Sequence, residues 1–202
     1  MREKSALLII DVQNDFCPGG ALAVPLGDLV IEPLNRVAQQ FADAGLPVLA
    51  SRDWHPPTTR HFREFGGSWP AHCVQGSKGA DFPSALLLPE GTMILSKGTT
   101  PELDGYSAFE GVTDDGMTLA QIVKELRVQR IYLGGLATDY CVLSTARDAL
   151  RHGLEVAVLF DAVAGVDVQA GDSARAIEKM EAEGVGLITV EELLEKLNGK
   201  VD

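Results

Sequence analysis

RIYLGGLATDYCVLSTARDALRHG, residues 130–153, decides the fold. It opens on a short apolar run, passes through Gly134-Gly135, then repeats apolar residues at helical spacing until Gly153. That pattern is a strand over Arg130–Gly135 turning directly into a helix over Thr138–His152, with Gly153 as the stop. A strand apolar along its whole length is buried on both faces, which suits a parallel sheet. The same rhythm runs upstream, where Ala6–Asp11, Pro47–Asp53 and Met93–Lys97 read as strands and Asp28–Ala44 and Thr118–Arg127 as helices. Asp28 is the expected N-cap of its helix, Gly45 its stop, and Pro33 falls where an early proline is tolerated. Downstream, Glu155–Phe160 and Gly186–Thr189 read as strands, and Asp172–Glu183 as a helix capped by Asp172 and closed by Gly184. Thr189 and Glu192 form a capping box for a last helix to about Leu197. The alternation predicts an α/β fold, an open parallel sheet covered by helices on both sides. Two stretches, 12–27 and 54–91, break the rhythm, and loops that long in a compact domain usually carry function.

Composition narrows the classes. The chain has 202 residues, 46% apolar and 23% charged, which fits one soluble domain over 1–202 with a sizeable core. Disorder, collagen and coiled coil fit poorly. With 17 Lys and Arg against 29 Asp and Glu, the net charge of −12 disfavours nucleic acid and anionic membrane surfaces as partners. The first apolar run, Ala6 to Ile10, is too short for a signal-peptide core or a membrane span. Cys17, Cys73 and Cys141 include no C-x-x-C pair, so the expected location is the cytosol. No interface stripe stands out, which leaves a homo-oligomer open.

In an open parallel sheet, ligands bind beyond the carboxyl ends of the strands. Four of the strands deliver a reactive side chain there: Asp11, then Asp53 with His55 two residues on, then Lys97, then Cys141 in the first turn of a helix. An isolated cysteine is most often a small buried hydrophobe. The setting of Cys141 is different, because a helix N-terminus lowers a thiol's pKa and offers N–H groups to an oxyanion. Cys17 and Cys73 lack that setting and read as structural. Asp11 alone is a turn residue, and Lys97 alone a solvated surface lysine. Beside a nucleophilic thiol, the carboxylate can shuttle its proton while the ammonium steadies the carboxylate.

Three of the four histidines fall between residues 55 and 72. Asp53-Trp54-His55, with His61 and His72 following, offers one carboxylate and two or three imidazoles, a set that suits Zn²⁺, Fe²⁺ or Mn²⁺. Alone the pattern is weak, and satisfied loop histidines would also explain it. His152, at a helix C-terminus, reads as structural. Phe16, Trp69 and Tyr106 accompany these groups as candidate walls for a flat ring.

The chain resembles the nicotinamidases, or pyrazinamidases, of the isochorismatase-like cysteine hydrolase superfamily, from about Ala6 to Leu197. The carrying stretches are IIDVQNDFCPGGAL (9–22), SRDWHPPTTRHF (51–62), WPAHCVQGS (69–77), SKGTTPELDGYSAFEG (96–111) and GLATDYCV (135–142). Each is moderate evidence, but their order and spacing are highly specific. The resemblance implies a three-layer fold around a six-stranded parallel sheet in the order 3-2-1-4-5-6. It places the catalytic residues on Asp11, Lys97 and Cys141, and the metal ligands on Asp53, His55 and His72. His61 stands where some members use a third histidine. The family's cis peptide and oxyanion hole fall on Leu136-Ala137, with the N–H groups of Ala137 and Cys141 as donors. Its substrate contacts fall on Phe16, Trp69, Tyr106 and Leu136.

The implied reaction is hydrolysis of nicotinamide to nicotinate and ammonia through a cysteine thioester. One divalent ion, Zn²⁺ before Fe²⁺ or Mn²⁺, would meet the pyridine nitrogen directly or through its water. Pyrazinamide keeps the ring, the amide and that nitrogen, so it is an expected fortuitous substrate. Two other readings stand beside this one. One is an amidohydrolase for a carbamoyl or ureido compound; such relatives share the Asp, Lys and Cys but not generally the metal set. The other is a non-catalytic metal- or ligand-binding protein, which predicts a lost member of the Asp–Lys–Cys group. Vinyl-ether hydrolysis of the isochorismatase type uses no cysteine nucleophile, and Cys141 is present.

Overall fold

The computed structural model describes residues 4–199, so the outermost residues of the 1–202 domain assignment lie outside the described residues. Six strands, β1 (Ser5–Ile10), β2 (Val48–Asp53), β3 (Met93–Lys97), β4 (Arg130–Leu136), β5 (Glu155–Ala164) and β6 (Gly186–Ile188), form one sheet. Their order is β3-β2-β1-β4-β5-β6 and every pairing is parallel, as the sequence and its resemblance imply. The helices are α1 (Ile31–Asp43), α2 (Leu119–Glu125), α3 (Leu143–Arg151), α4 (Asp172–Ala182) and α5 (Val190–Leu197).

Central β1 is buried at every position and feeds two cores, because successive side chains point to opposite faces. Leu7 and Ile9 join Leu34, Val37 and Phe41 of α1 and Leu193 of α5. Leu8 and Ile10 join Ile122 of α2, Ala146 and Ala149 of α3 and Met180 of α4. Register then fixes what meets at the carboxyl rim: Ile10 pairs with Ser51 and with Gly135, and Asp53 pairs with Lys97. Among the described residues, no helix is long and apolar enough to cross a membrane.

Several boundaries differ from the sequence reading. The first helix begins at Ile31 instead of Asp28, after a 3-10 turn over Gly27–Val30, and has no side-chain cap. Pro33 is the reason, since its ring would clash with the carbonyl four residues earlier if the α-helix began sooner. Gly171, with φ +84°, caps α4 in place of Asp172, whose carboxylate instead accepts the Gln169 N–H from inside the first turn. β5 runs to Ala164, beyond the expected Phe160, because its pairing with β4 breaks after Val158 and resumes at Val163. The exposed Phe160 and Asp161 fall in that irregularity, and Asp161 accepts the Val190 N–H, so the apolar run only appears to stop. The capping boxes at Thr118–Gln121 and Thr189–Glu192 are both formed.

Gly135 of β4 packs directly against the backbone of its β1 partner Ile10. Its φ is +121°, and a Cβ there would run into the carbonyl oxygen of Ile10. Gly135→Ala is expected to destabilise the fold by about 3 kcal/mol. Urea unfolding checks this, and a variant within about 0.5 kcal/mol of wild type would contradict the close approach.

Candidate active site

The carboxyl ends of β1 to β4 bring Asp11, Asp53, Lys97 and the turn carrying Cys141 to one place. Lys97 is fully buried at its centre. Its Nζ lies 2.7 Å from Asp11 Oδ2, pairs with Asp53 Oδ1, donates to the Gly105 carbonyl at 2.6 Å, and stands 3.5 Å from Cys141 Sγ. Ligating atoms of Asp11, Asp53 and Cys141 lie within 4.8 Å of one another, and the ammonium takes the place among them that a cation would fill. The Ser51 hydroxyl donates to Asp11 Oδ1 at 2.7 Å.

These contacts set the charges. Burial pushes the Asp11 carboxyl up and Lys97 only partly opposes it, so it stays above the ordinary carboxylate value. Burial acts upward on Asp53 too, but Lys97, aided by the nearby His55 and His72 rings, wins and holds it well below that value. Lys97 is desolvated, yet Asp11 and Asp53 keep it charged, well above an ordinary lysine. The expectation for Cys141 needs correcting. Burial raises its thiol well above the ordinary value, Lys97 opposes, and the two carboxylates add to the rise. The turn that carries it, Thr138–Val142, is a wide π turn instead of the first turn of an α-helix, which starts at Leu143. This setting favours the protonated thiol over the thiolate.

The histidines also converge. Ligating nitrogens of His55, His61 and His72 lie within 4.8 Å of one another, all buried. Asp53 Oδ2, the oxygen turned away from Lys97, is 3.6 Å from His55 Nε2 and 3.8 Å from His72 Nε2. His61 Nδ1 is engaged by Asp104 at 2.9 Å and His72 Nδ1 by the Pro70 carbonyl at 2.8 Å, leaving each Nε2 for another partner. Among the described residues, neither ring nitrogen of His55 has a hydrogen-bond partner. A fully buried imidazole with two orphaned nitrogens, beside a carboxylate and two oriented histidines, fits a metal ion. Asp53 belongs to both clusters, one oxygen to each.

Between them lies an apolar pocket. Phe16, Trp69, Tyr106 and Ala137 line it with Cys141, His61 and His72, together with Leu22, Tyr140 and Val166, which the sequence did not single out. Leu136 does not reach the pocket: its side chain is fully buried in the core, while the next residue forms the wall. The Leu136–Ala137 peptide bond is cis. Trp69 Nε1 donates to the Tyr106 hydroxyl at 2.9 Å, and Tyr140 packs edge-on against Trp69. Asp139 accepts the N–H groups of Val166 and Asp167, tying that wall to the turn of Cys141.

Two further positioning contacts escaped the sequence. Gln13, fully buried, accepts the Asp53 N–H at 2.8 Å and donates to the Asp53 and Ala80 carbonyls, so it holds Asp53 from the backbone. It stands in the quoted stretch 9–22, two residues after Asp11, which is the signal that could have found it. Asp104, inside the quoted stretch 96–111, carried the same signal, although it meets His61 43 positions away along the chain. Cys17 and Cys73 are buried free thiols, both raised first by burial. His152 ends α3 stacked on Phe109, as a structural residue would.

Known proteins carry the same arrangement of sequence and fold. The chain is 39% identical to a nicotinamidase of Escherichia coli, over 92% of this chain and 94% of that protein. The zinc complex of a pyrazinamidase from Pyrococcus horikoshii superposes with a TM-score of 0.85 at 46% identity, over 92% of this chain and 99% of that one. PnC1 of L. infantum in complex with nicotinate gives 0.84 at 34% identity, over 94% of each chain. The isochorismatase domain matches residues 5–192, nearly everything from the first strand to the last helix. By that match and those identities, the chain belongs to the isochorismatase-domain family.

Proposed function

We propose that this chain is an amidohydrolase that converts nicotinamide and water to nicotinate and ammonia, with 1–202 acting as one domain. The observation that carries the reading is the shared Asp53, which sets a buried Asp–Lys–Cys cluster and a buried histidine cluster against one apolar pocket. Flat rings suit walls made by Phe16, Trp69 and Tyr106. The named relatives, a nicotinamidase, a zinc-bound pyrazinamidase and a nicotinate complex, support the same substrate class.

Asp53, His55, His61 and His72 would hold a divalent ion, with zinc preferred for a set of three imidazoles and a carboxylate. When bound, it would supply a Lewis acid for the ring nitrogen and so help His55, His61, His72 and Asp53 orient the substrate. The protein's own groups carry the chemistry. Asp11 takes the Cys141 proton as sulfur bonds to the amide carbon, and the Ala137 and Cys141 N–H groups hold the oxyanion. Collapse breaks the C–N bond; Asp11 returns its proton to the nitrogen, and ammonia leaves. Water then adds to the thioester, giving its proton to Asp11. The C–S bond breaks, the thiol recovers the proton from Asp11, and nicotinic acid departs, losing its carboxyl proton to solvent or ammonia to become nicotinate. Lys97 stays charged throughout and steadies the Asp11 carboxylate. An elevated Asp11 matches this exchange of a proton with a raised thiol.

Ammonia release by purified, metal-loaded protein tests the assignment. Nicotinamide and pyrazinamide are expected to react, with kcat/KM on the order of 100-fold above an N-carbamoyl amino acid. Preferred release from the carbamoyl compound would move the chain to the other amidohydrolase reading. Folded protein releasing ammonia from none of them would leave the binding-protein reading.

A further inference from the structure

The histidine cluster is approached from two sides. The apolar pocket leaves about 30 Å³ of free space above it. On the other side a separate cleft of about 280 Å³ is lined by Asp104, Ser68, Trp69, Tyr106 and His61, with Arg60. Trp69 and Tyr106 line both spaces, and their 2.9 Å hydrogen bond makes them the partition. His61 also lines both. Its side chain is only 4% exposed, while that of Asp104, bonded to its Nδ1, is 53% exposed at the cleft.

A hydrated divalent ion carries tightly held water, and losing that water before a ligand replaces it is costly. The exposed lining of the narrow pocket is almost wholly apolar and offers an incoming ion little to replace that water. The cleft offers a half-exposed carboxylate, and directly behind it an imidazole whose Nε2 is unclaimed by the Asp104 contact. We propose that the metal ion enters and leaves through the Asp104 cleft by way of His61, while the organic substrate uses the apolar pocket. Asp104 replaces one water of the ion, His61 Nε2 a second, and the buried His55, His72 and Asp53 complete the transfer, each released water returning to solvent through the cleft. The inference rests on reading those four residues as the ligands.

The test uses metal-stripped full-length protein, with zinc uptake and chelator-driven release followed by a fluorescent zinc indicator in stopped flow. Equilibrium stoichiometry is measured first: wild type that takes up no zinc overturns the ligand reading and the route with it. With uptake established, Ser68→Trp, which fills the cleft, is expected to slow uptake and release alike by about 10-fold and leave the equilibrium affinity within about 3-fold. Leu22→Trp, in the apolar pocket, is expected to change neither rate. Asp104→Asn, a milder change, is expected to slow uptake several-fold at low salt and less at high salt. The route is overturned if Leu22→Trp slows exchange as much as Ser68→Trp, or if Ser68→Trp and Asp104→Asn both load at the wild-type rate.

Discussion

Cys141→Ala is expected to reduce ammonia release from nicotinamide by about 10⁴-fold or more, since a nucleophile acting within a cooperative group cannot be replaced by its partners. The fold should survive. Cys141 is 7% exposed, and alanine removes one sulfur from a crowded, charged neighbourhood. A stability change within about 2 kcal/mol is expected. Cys141→Ser separates nucleophile from packing, because it restores a similar shape with a far weaker acid. Its rate should stay close to that of the alanine variant. Acid-quenched wild type under turnover should show a nicotinoyl adduct by intact mass, absent from both variants. Retention of more than about 1% of the rate by the alanine variant would remove the thioester from the mechanism.

Lys97→Met should cost both activity and stability. It takes the ammonium from between two buried carboxylates and leaves them facing one another in a dry site. Breaking a buried pair in this way costs about 3–5 kcal/mol. The pH dependence gives a sharper check, made with chelator present so that no metal compensates. In the wild type, Asp53 is held well below its ordinary value, so its contribution is present above about pH 4 and lost as pH falls below that. Asp11, raised less, acts in the opposite sense and only blunts the loss. Without Lys97 both carboxyls rise, and ionising them disfavours the folded state. The variant's deficit should therefore be largest near neutrality and shrink on acidification toward pH 4. A deficit that is constant across that range, read from urea unfolding, would mean that lost packing rather than unpaired charge dominates.

The sheet was legible because parallel strands buried on both faces write themselves as unbroken apolar runs, as Leu7–Ile10 and Ile131–Leu133 do. Boundaries failed where backbone geometry overrode pattern. Pro33 delays the first helix, Gly171 takes the cap from Asp172, and the β5 irregularity hides a continuing strand behind Phe160 and Asp161. At the site, strand ends pointed to Asp11, Asp53, Lys97 and Cys141 from the residues alone. His61 and His72 lie on a long loop whose path no periodicity describes, so their grouping with Asp53 and His55 was a weak pattern until the family resemblance supported it. The raised thiol of Cys141 was missed because helix polarity is visible in a sequence, whereas burial among carboxylates is a property of packing. Gln13, Asp104 and Tyr140 lie within the quoted stretches, but their contacts, like those of Val166, are tertiary and are not described by local sequence.

The pairing of Asp53 with Lys97 on adjacent strands turns the sheet into a ruler. Neighbouring strands keep a nearly constant spacing, and that spacing, not the sequence separation of 44 between the two residues, sets how far apart they stand. The intervening loops can thus lengthen or shorten without altering the gap, whereas one residue gained or lost within β2 would turn Asp53 to the opposite face. For the spacing of this one pair, phase along the strands is decisive and chain length between them is not.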